Sequence, residues 1–190
     1  MIWNKHDLFE GTHAFLSASQ HSWLNYTEEK LIAVYRSLQA KKWGTELHEF
    51  AHKCIILNQK LPRQHITLNM FVNDAIGFKM DSEIMLFYSP NCYGTADAIM
   101  YDAKKKILRI HDLKTGTIVP GSMHQLEIYA ALFCLEYKVN PNELELMELR
   151  IYQNDEVKIE NPDPTVILHI MDQIITFDKI IEETEHEYKL

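Results

Sequence analysis

Apolar residues recur at helical spacing through the first part of the chain and again near its end. Pro62 lies just beyond the third of the helices that this spacing predicts, and Pro164 opens the last one. The predicted helices of the first part cover residues 17–25, 27–40, 44–59 and 67–80.

Between these helical parts, β-rich runs alternate with polar turns. One longer helix interrupts the runs: Pro120 and Ser122 start it, and it ends near Lys138. The predicted strands cover residues 83–89, 94–102, 106–114 and 145–153, with a short edge strand after the turn Asn154-Asp155.

The order of these elements predicts an α/β protein with a central sheet. A helical N-terminal part extends to about residue 81, a βββαβ core covers about 82–160, and a C-terminal helix covers about 164–186. A chain of 190 residues is long enough to bury one core, so we expect a single domain over residues 1–190.

Two acids and a lysine lie on neighbouring predicted strands. Asp112 and Lys114 are two residues apart and therefore share a face of their strand. In an antiparallel hairpin with the two-residue loop Lys104-Lys105, Asp97 lies directly opposite Asp112 and projects to the same face. A register slip of one residue would turn Asp97 to the other face.

Carboxylates this close repel each other and raise each other's pKa unless a cation neutralises them. Oxygen ligands select hard ions such as Mg²⁺ or Mn²⁺, which polarise a phosphate and acidify water. Lys114 would then orient the water or stabilise the charge that builds on the phosphate. The alternative is a surface hairpin whose charges are incidental, since Asp-x-Lys alone is a common pattern.

A wider pattern surrounds these residues. Gly94-Thr95-Ala96-Asp97 precedes Asp112-Leu113-Lys114-Thr115-Gly116, and Gln125 and Tyr129 follow one helical turn apart. With His48 on an earlier predicted helix, this order resembles the RecB-like branch of the PD-(D/E)XK nuclease superfamily over roughly residues 15–155. The resemblance implies a restriction-endonuclease-like core, in which a mixed central sheet is flanked by helices, with an α-helical N-terminal part.

The resemblance also implies roles for single residues. Lys114 would be the catalytic cation, and Gln125 and Tyr129 would buttress it or contact a phosphate. Tyr129 lies in an apolar run, however, and a packing role explains it equally well. Glu83 lies near the position where such nucleases often carry an extra acid. The implied metal ligands are the side chains of His48, Asp97 and Asp112 and the carbonyl oxygen of Leu113.

Further residues are weaker candidates for substrate contact. Ser17 and Ser19 resemble the serine-containing segment that often opens such domains, and Thr115 follows the catalytic lysine. Lys104 and Lys105 are candidates for contacts with the DNA backbone, with solvated turn residues as the alternative. The tryptophans either stack on bases or, as we favour, anchor helix packing; they are Trp3, Trp23 and Trp43.

The run His48-Glu49-Phe50-Ala51-His52 also matches the H-E-x-x-H pattern of zinc metalloproteases. Histidines at i and i+4 share a helix face and can chelate zinc. The extended pattern that supplies a third ligand is absent, because Ile55, Asn58 and Leu61 occupy its positions. We therefore keep the zinc protease as a remote alternative and expect His52 to face solvent.

The net charge of −8 argues against a general nucleic-acid binder. A bound metal ion would offset part of this charge, or a partner protein would supply DNA affinity. The three cysteines are odd in number and widely spaced, so we expect buried thiols and no disulfide framework. Nuclease relatives with an iron–sulfur cluster use four cysteines, so we expect no cluster here.

No stretch reaches the length of a membrane span, and the N-terminus lacks a signal-peptide core, so we expect a cytoplasmic protein with no membrane partner. The sequence therefore predicts a Mg²⁺- or Mn²⁺-dependent DNA nuclease. We expect it to be exonuclease-like, acting on single strands or duplex ends in phage or bacterial recombination, replication or repair. The alternative is a catalytically silent protein with the nuclease fold that binds DNA or supports assembly.

Overall fold

The structure is a computed structural model that describes residues 14–116 and 122–188. It contains two compact units, one ending at Trp43 and one beginning at Gly44. None of the helices in these ranges combines the length and the apolar content that crossing a membrane requires.

The first unit contains the 3₁₀ segment Ala18–Asn25, which the Ser17 hydroxyl caps by accepting a hydrogen bond from the Ser19 amide. Trp23 donates its indole N–H to the Ser17 carbonyl oxygen at 2.9 Å and is half-buried, as a packing anchor would be. Trp43 is 62% exposed, so the prediction of a packing role is wrong for it. Trp3 lies outside the described residues.

Helix α1, Glu28–Ile56, is continuous where the sequence predicts two helices that meet near Gly44. Gly44 is buried, and a Cβ placed on it would lie 2.8 Å from the Thr115 hydroxyl oxygen. The glycine therefore allows the segment after Lys114 to approach the helix closely, and it does not end the helix.

The other elements follow the predicted order with small shifts of their ends. Ser122 caps the helix that follows the third strand by accepting a hydrogen bond from the His124 amide, and Pro120, which we predict to open this helix, lies outside the described residues. The elements are α2 (Thr67–Gly77), β1 (Asp81–Ser89), β2 (Cys92–Asp102), β3 (Ile107–Leu113), α3 (Met123–Tyr137), β4 (Leu146–Gln153), β5 (Glu156–Glu160) and α4 (Pro164–Tyr188).

The five strands form one mixed sheet in the order β1-β2-β3-β4-β5. Strands β3 and β4 run parallel, and the other neighbouring pairs are antiparallel. Helix α3 lies in the connection between the parallel strands, because such a connection must cross over the sheet. The predicted α/β class with a mixed, helix-flanked sheet is confirmed.

Helices cover both faces of the sheet. One core cluster packs α3 and α4 against the strands and includes the fully buried Leu108 and Leu126. A second cluster packs the end of α1 and all of α2 against the strands and includes Phe71 and Leu113. Leu108 and Leu113 differ in strand parity, which places the two clusters on opposite faces of β3.

The hairpin of β2 and β3 has the register that the sequence predicts. Ala98 pairs with His111, as the predicted register requires, and the paired stretch ends there, one position before Asp97 and Asp112. The loop spans residues 103–106 and is therefore longer than the predicted two-residue loop. The register is unchanged because the loop is extended equally on both sides.

A buried polar cluster lies on the α2 side of the sheet. His111 is 0% exposed, and its Nδ1 lies 3.3 Å from the Tyr152 hydroxyl, which donates a hydrogen bond to Asp74 at 2.7 Å. Burial, reinforced by the positive charges of Arg150 and Arg109, lowers the pKa of His111 to about 3. This histidine is therefore neutral in the folded protein at neutral pH.

We expect His111 to make folding stability fall as the pH drops from about 6.5 towards 3. In that window the unfolded histidine binds a proton and the folded one does not, so the stability present above pH 6.5 is lost progressively. The loss reaches about 2 kcal/mol at pH 5. Urea denaturation at pH 7.5 and pH 5 measures it.

The matched variants for this test are His111→Phe and His169→Phe. His169 is exposed on α4, so its replacement should leave the pH dependence as in the wild type. The His111→Phe protein should lack about 2 kcal/mol of the acid-induced loss. An identical pH dependence in wild type and His111→Phe would contradict this assignment.

The three cysteines are free. Cys54 and Cys134 are buried, as predicted, and Cys92 is only half-buried. Burial raises the pKa of the Cys134 thiol to about 12, so this thiol is unreactive.

Candidate metal and catalytic site

Three side chains from three elements meet next to the end of β3. His48 lies on α1, Glu83 on β1 and Asp97 on β2, and one ligand atom of each lies within 4.8 Å of the others. His48 Nδ1 is 3.5 Å from Asp97 Oδ2, and the same carboxylate oxygen accepts a hydrogen bond from the Leu113 amide at 2.8 Å. The structure thus brings two of the predicted ligands together with Glu83, which the sequence offers only as an extra acid.

Glu83 reaches this group from an unusual backbone conformation. Its φ is 55°, in the left-handed region, although it lies within a strand. The alternation of faces along β2 is broken at the same place. Ala96 and Ala98 are two residues apart and would share a face of a regular strand, but Ala96 packs in the α3-side cluster and Ala98 in the α2-side cluster. A non-glycine residue held in this region costs about 1–3 kcal/mol, and such strain concentrates at functional sites.

Lys114 is fixed by two side chains. Its Nζ donates a hydrogen bond to Asp112 Oδ1 at 3.0 Å and another to Gln125 Oε1 at 2.8 Å. Gln125 Nε2 in turn donates to the Tyr129 hydroxyl at 3.0 Å. Gln125 and Tyr129 therefore form the hydrogen-bonded chain behind Lys114 that a buttressing role requires.

Asp112 is 2% exposed, and burial raises the pKa of its carboxyl, with the charge of Asp97 acting in the same direction and Lys114 opposing. Its Oδ2 lies 2.8 Å from Lys114 Nζ, an ion-pair distance, but at an angle that makes no hydrogen bond. His111 Nε2 is the other buried side-chain atom in the described ranges that lacks one. Asp112 Oδ2 therefore keeps a lone pair for a cation.

The crowding of acids also changes the other members of the group. The contact with Asp97 raises the pKa of His48, although burial opposes the change. Burial raises the pKa of Glu83, and the charge of Asp97 adds to it. Because both pKa values are raised, His48 and Glu83 bind protons more readily when no cation is bound. A divalent cation would take the place of these protons.

The residues present fit a divalent metal ion. Opposite ligands of an octahedral ion lie about 4.2 Å apart, twice a bond of about 2.1 Å, so three groups within 4.8 Å can close on one ion through small side-chain movements. One imidazole and two carboxylates suit Mn²⁺ better than Mg²⁺, because magnesium prefers oxygen ligands alone. Asp112, which the sequence also predicts as a ligand, is outside this group of three; its Oδ2 is the oxygen left without a hydrogen bond.

Gly94 is a residue to which the motif gives no role. A Cβ placed on Gly94 would lie 2.8 Å from Tyr129 Cε1, so the tyrosine ring lies directly against the glycine backbone. A side chain at this position would displace the ring and, through Gln125, the support of Lys114. The sequence shows only a glycine three residues before Asp97. The need for a glycine at this position arises because α3 contacts β2 and brings Tyr129 against it.

Replacing Gly94 with alanine should destabilise the fold by about 1–3 kcal/mol through overpacking against Tyr129. In a Tyr129→Ala background the same replacement should cost much less, because the opposing ring is gone; the difference is the coupling energy between the two positions. Urea unfolding of the double-mutant cycle measures it. Gly77→Ala is the matched control, since no atom lies within 4 Å of its added Cβ. Equal costs in both backgrounds would refute the contact.

The H-E-x-x-H residues do not assemble as zinc ligands. His52 Nδ1 shares a hydrogen bond of 2.7 Å with the Ser82 hydroxyl and is half-buried, so the prediction that it faces solvent is wrong. Glu49 is exposed and pairs with Lys53 at 2.6 Å. Of this motif, His48 alone belongs to the ligand group found among the described residues.

The residues that the sequence offers as weaker candidates for substrate contact lie in different parts of the structure. Ser17 and Ser19 belong to the first unit, where their hydroxyl oxygens lie 2.8 Å apart. Lys104 and Lys105 lie in the β2–β3 loop, at the opposite end of β3 from Lys114; the strand's seven residues span about 23 Å. These lysines would therefore contact a DNA strand only well away from a phosphate at Lys114. Thr115 is half-buried with its hydroxyl facing α1.

Comparisons of the chain with models of protein families, with curated proteins and with solved structures find no match in any of the three. The likeness to nucleases therefore rests on the motif residues of this chain. Their arrangement in space is the additional observation on which a functional proposal can be based.

Proposed function

We propose that this protein is a metal-dependent DNA nuclease with a restriction-endonuclease-like core and an exonuclease-like action. The observation that supports this most directly is the position of Lys114. Asp112 and Gln125 hold its ammonium group at the end of β3, next to the ligand group that Asp97 anchors. A fixed cation beside a metal-binding group is the arrangement that phosphodiester hydrolysis needs.

The side chains have distinct tasks in this proposal. Lys114 orients a water molecule for attack or stabilises charge that develops on the phosphate, and it does so without reorganising, because its two partners already hold it. His48, Glu83 and Asp97 would hold the metal, and the buried Asp112 Oδ2, which makes no hydrogen bond, would add negative charge beside it. When bound, a divalent cation supplies charge that neutralises the phosphate and acidifies water.

The acidic character of the chain limits how it binds DNA. A net charge of −8 gives weak attraction for nucleic acid outside the site, so we expect modest affinity or a partner protein that provides it. A role in phage or bacterial recombination, replication or repair follows from the resemblance to RecB-like nucleases.

The test is the cleavage of end-labelled single-stranded and double-stranded DNA in Mg²⁺, Mn²⁺ or EDTA. We expect cutting with either metal, faster with Mn²⁺ because of the imidazole ligand, and no cutting in EDTA. The ladder of products shows which end is attacked. If folded protein that binds Mn²⁺ cuts none of these substrates, the enzymatic proposal fails and a non-catalytic nuclease-fold protein takes its place.

A further inference from the structure

A cleft of about 350 Å³ opens beside Lys114, at the lower end of the roughly 300–1,000 Å³ that small-molecule sites occupy. Four apolar side chains from α1, the start of α2 and the end of β3 line most of it. They are Leu47, Ile66, Leu68 and Leu113.

The cleft is continuous with the candidate metal and catalytic site. Leu47 directly precedes His48 on α1, and Leu113 directly precedes Lys114. Lys114 itself lines the cleft, so a group bound in the cleft would lie beside any phosphate held at Lys114.

One rim of the cleft is polar and rigid. The Asp155 carboxylate accepts hydrogen bonds from the Thr67 amide at 2.7 Å and the Thr67 hydroxyl at 3.0 Å. The Asp155 amide donates back to the Thr67 hydroxyl at 2.7 Å, and Asn154 lies next to it in the turn. This reciprocal bonding ties the β4–β5 turn to the start of α2, so the cleft is formed before any ligand arrives.

Apolar walls with a polar rim match the chemistry of a nucleobase, which has two apolar faces and a polar edge. We propose that this cleft binds one unpaired nucleobase of the strand whose phosphate lies at Lys114; the inference rests on the proposed nuclease function. A base in a duplex would first have to leave the stack, which costs a few kcal/mol, least in single strands. The cleft therefore selects single strands and frayed ends.

The first arm of the test uses substrates that lack a base. A tetrahydrofuran abasic residue is placed at successive positions of a single-stranded oligonucleotide, and cleavage with Mn²⁺ is mapped bond by bond. We expect cleavage to slow by at least about fivefold at one fixed offset from the abasic residue, because the burial of the base against the apolar walls is lost there. Equal rates at every offset would overturn the base site while leaving the nuclease intact.

The second arm measures binding without cleavage. A single strand with 2-aminopurine at the sensitive offset, or at each position in turn, is titrated with protein in EDTA, and its fluorescence should change as the base enters the cleft. Ile66→Gln makes the wall polar, and Ile175→Gln on α4 is the matched control, because the two isoleucines are 44% and 43% exposed. In the cleavage assay of the first arm, Ile66→Gln should lower the ratio of the rate on normal substrate to the rate on abasic substrate to roughly half of the wild-type ratio or less. Ile175→Gln should leave this ratio unchanged.

The outcomes separate the two proposals. Loss of the fluorescence change in Ile66→Gln alone supports the base site, even if no substrate is cut, and in that case only the nuclease proposal fails. A bound strand whose 2-aminopurine never responds, or responds equally in both variants, overturns the base site whatever the cleavage result.

Discussion

The Lys114→Met protein is expected to cut DNA about 10³-fold more slowly than the wild type in saturating Mn²⁺. Methionine keeps the length of the side chain but removes the ammonium group that Asp112 and Gln125 hold in place. The lost group acts on charge that develops only in the transition state, so kcat should fall with little change in KM. Initial rates on end-labelled single-stranded DNA measure the effect.

Lys60→Met is the matched control, because Lys60 is exposed in the connection between α1 and α2. Its rate should equal that of the wild type. Binding of Mn²⁺ by the Lys114→Met protein should persist, since the ligand group of His48, Glu83 and Asp97 is intact. A Lys114→Met rate within tenfold of the wild type would remove Lys114 from the chemistry.

Asp97→Asn should weaken Mn²⁺ binding by at least about 100-fold, at or beyond the upper end of the 10–100-fold that partners outside the ligand shell contribute. The replacement keeps the shape but removes the charge at the only residue of the group that contacts both His48 and the Leu113 amide among the described residues. Isothermal titration with Mn²⁺ measures the change, and cleavage should be lost with it.

The same variant should fold normally in EDTA. Burial is the main cause that raises the pKa values of Asp112 and Glu83, and the charge of Asp97 adds to both; the neutral amide would relieve this added repulsion. The free energy of unfolding in EDTA should therefore stay within about 1 kcal/mol of the wild type or exceed it. Asp172→Asn, at an exposed position of α4, is the control. Unchanged Mn²⁺ affinity in Asp97→Asn would exclude this site.

Most of the element order could be read from the sequence, because periodicity and turn chemistry are local signals. The register of β2 and β3 was also predictable, since the polar loop fixes which residues pair. With the register known, the two-residue period brings Asp112 and Lys114 together, and their contact of 2.8 Å agrees. The continuous α1 was missed because a buried glycine and a helix-breaking glycine look alike in a sequence.

The sequence by itself determined the α/β class, the hairpin register and the common face of Asp112 and Lys114, all of which follow from near-neighbour geometry. The tertiary structure alone decided which side chains complete the site. Glu83 joins His48 and Asp97 through a left-handed backbone residue, and Gly94 makes room for Tyr129. These contacts depend on distances between elements far apart in the chain, and a local pattern of polar and apolar positions carries no information about such distances.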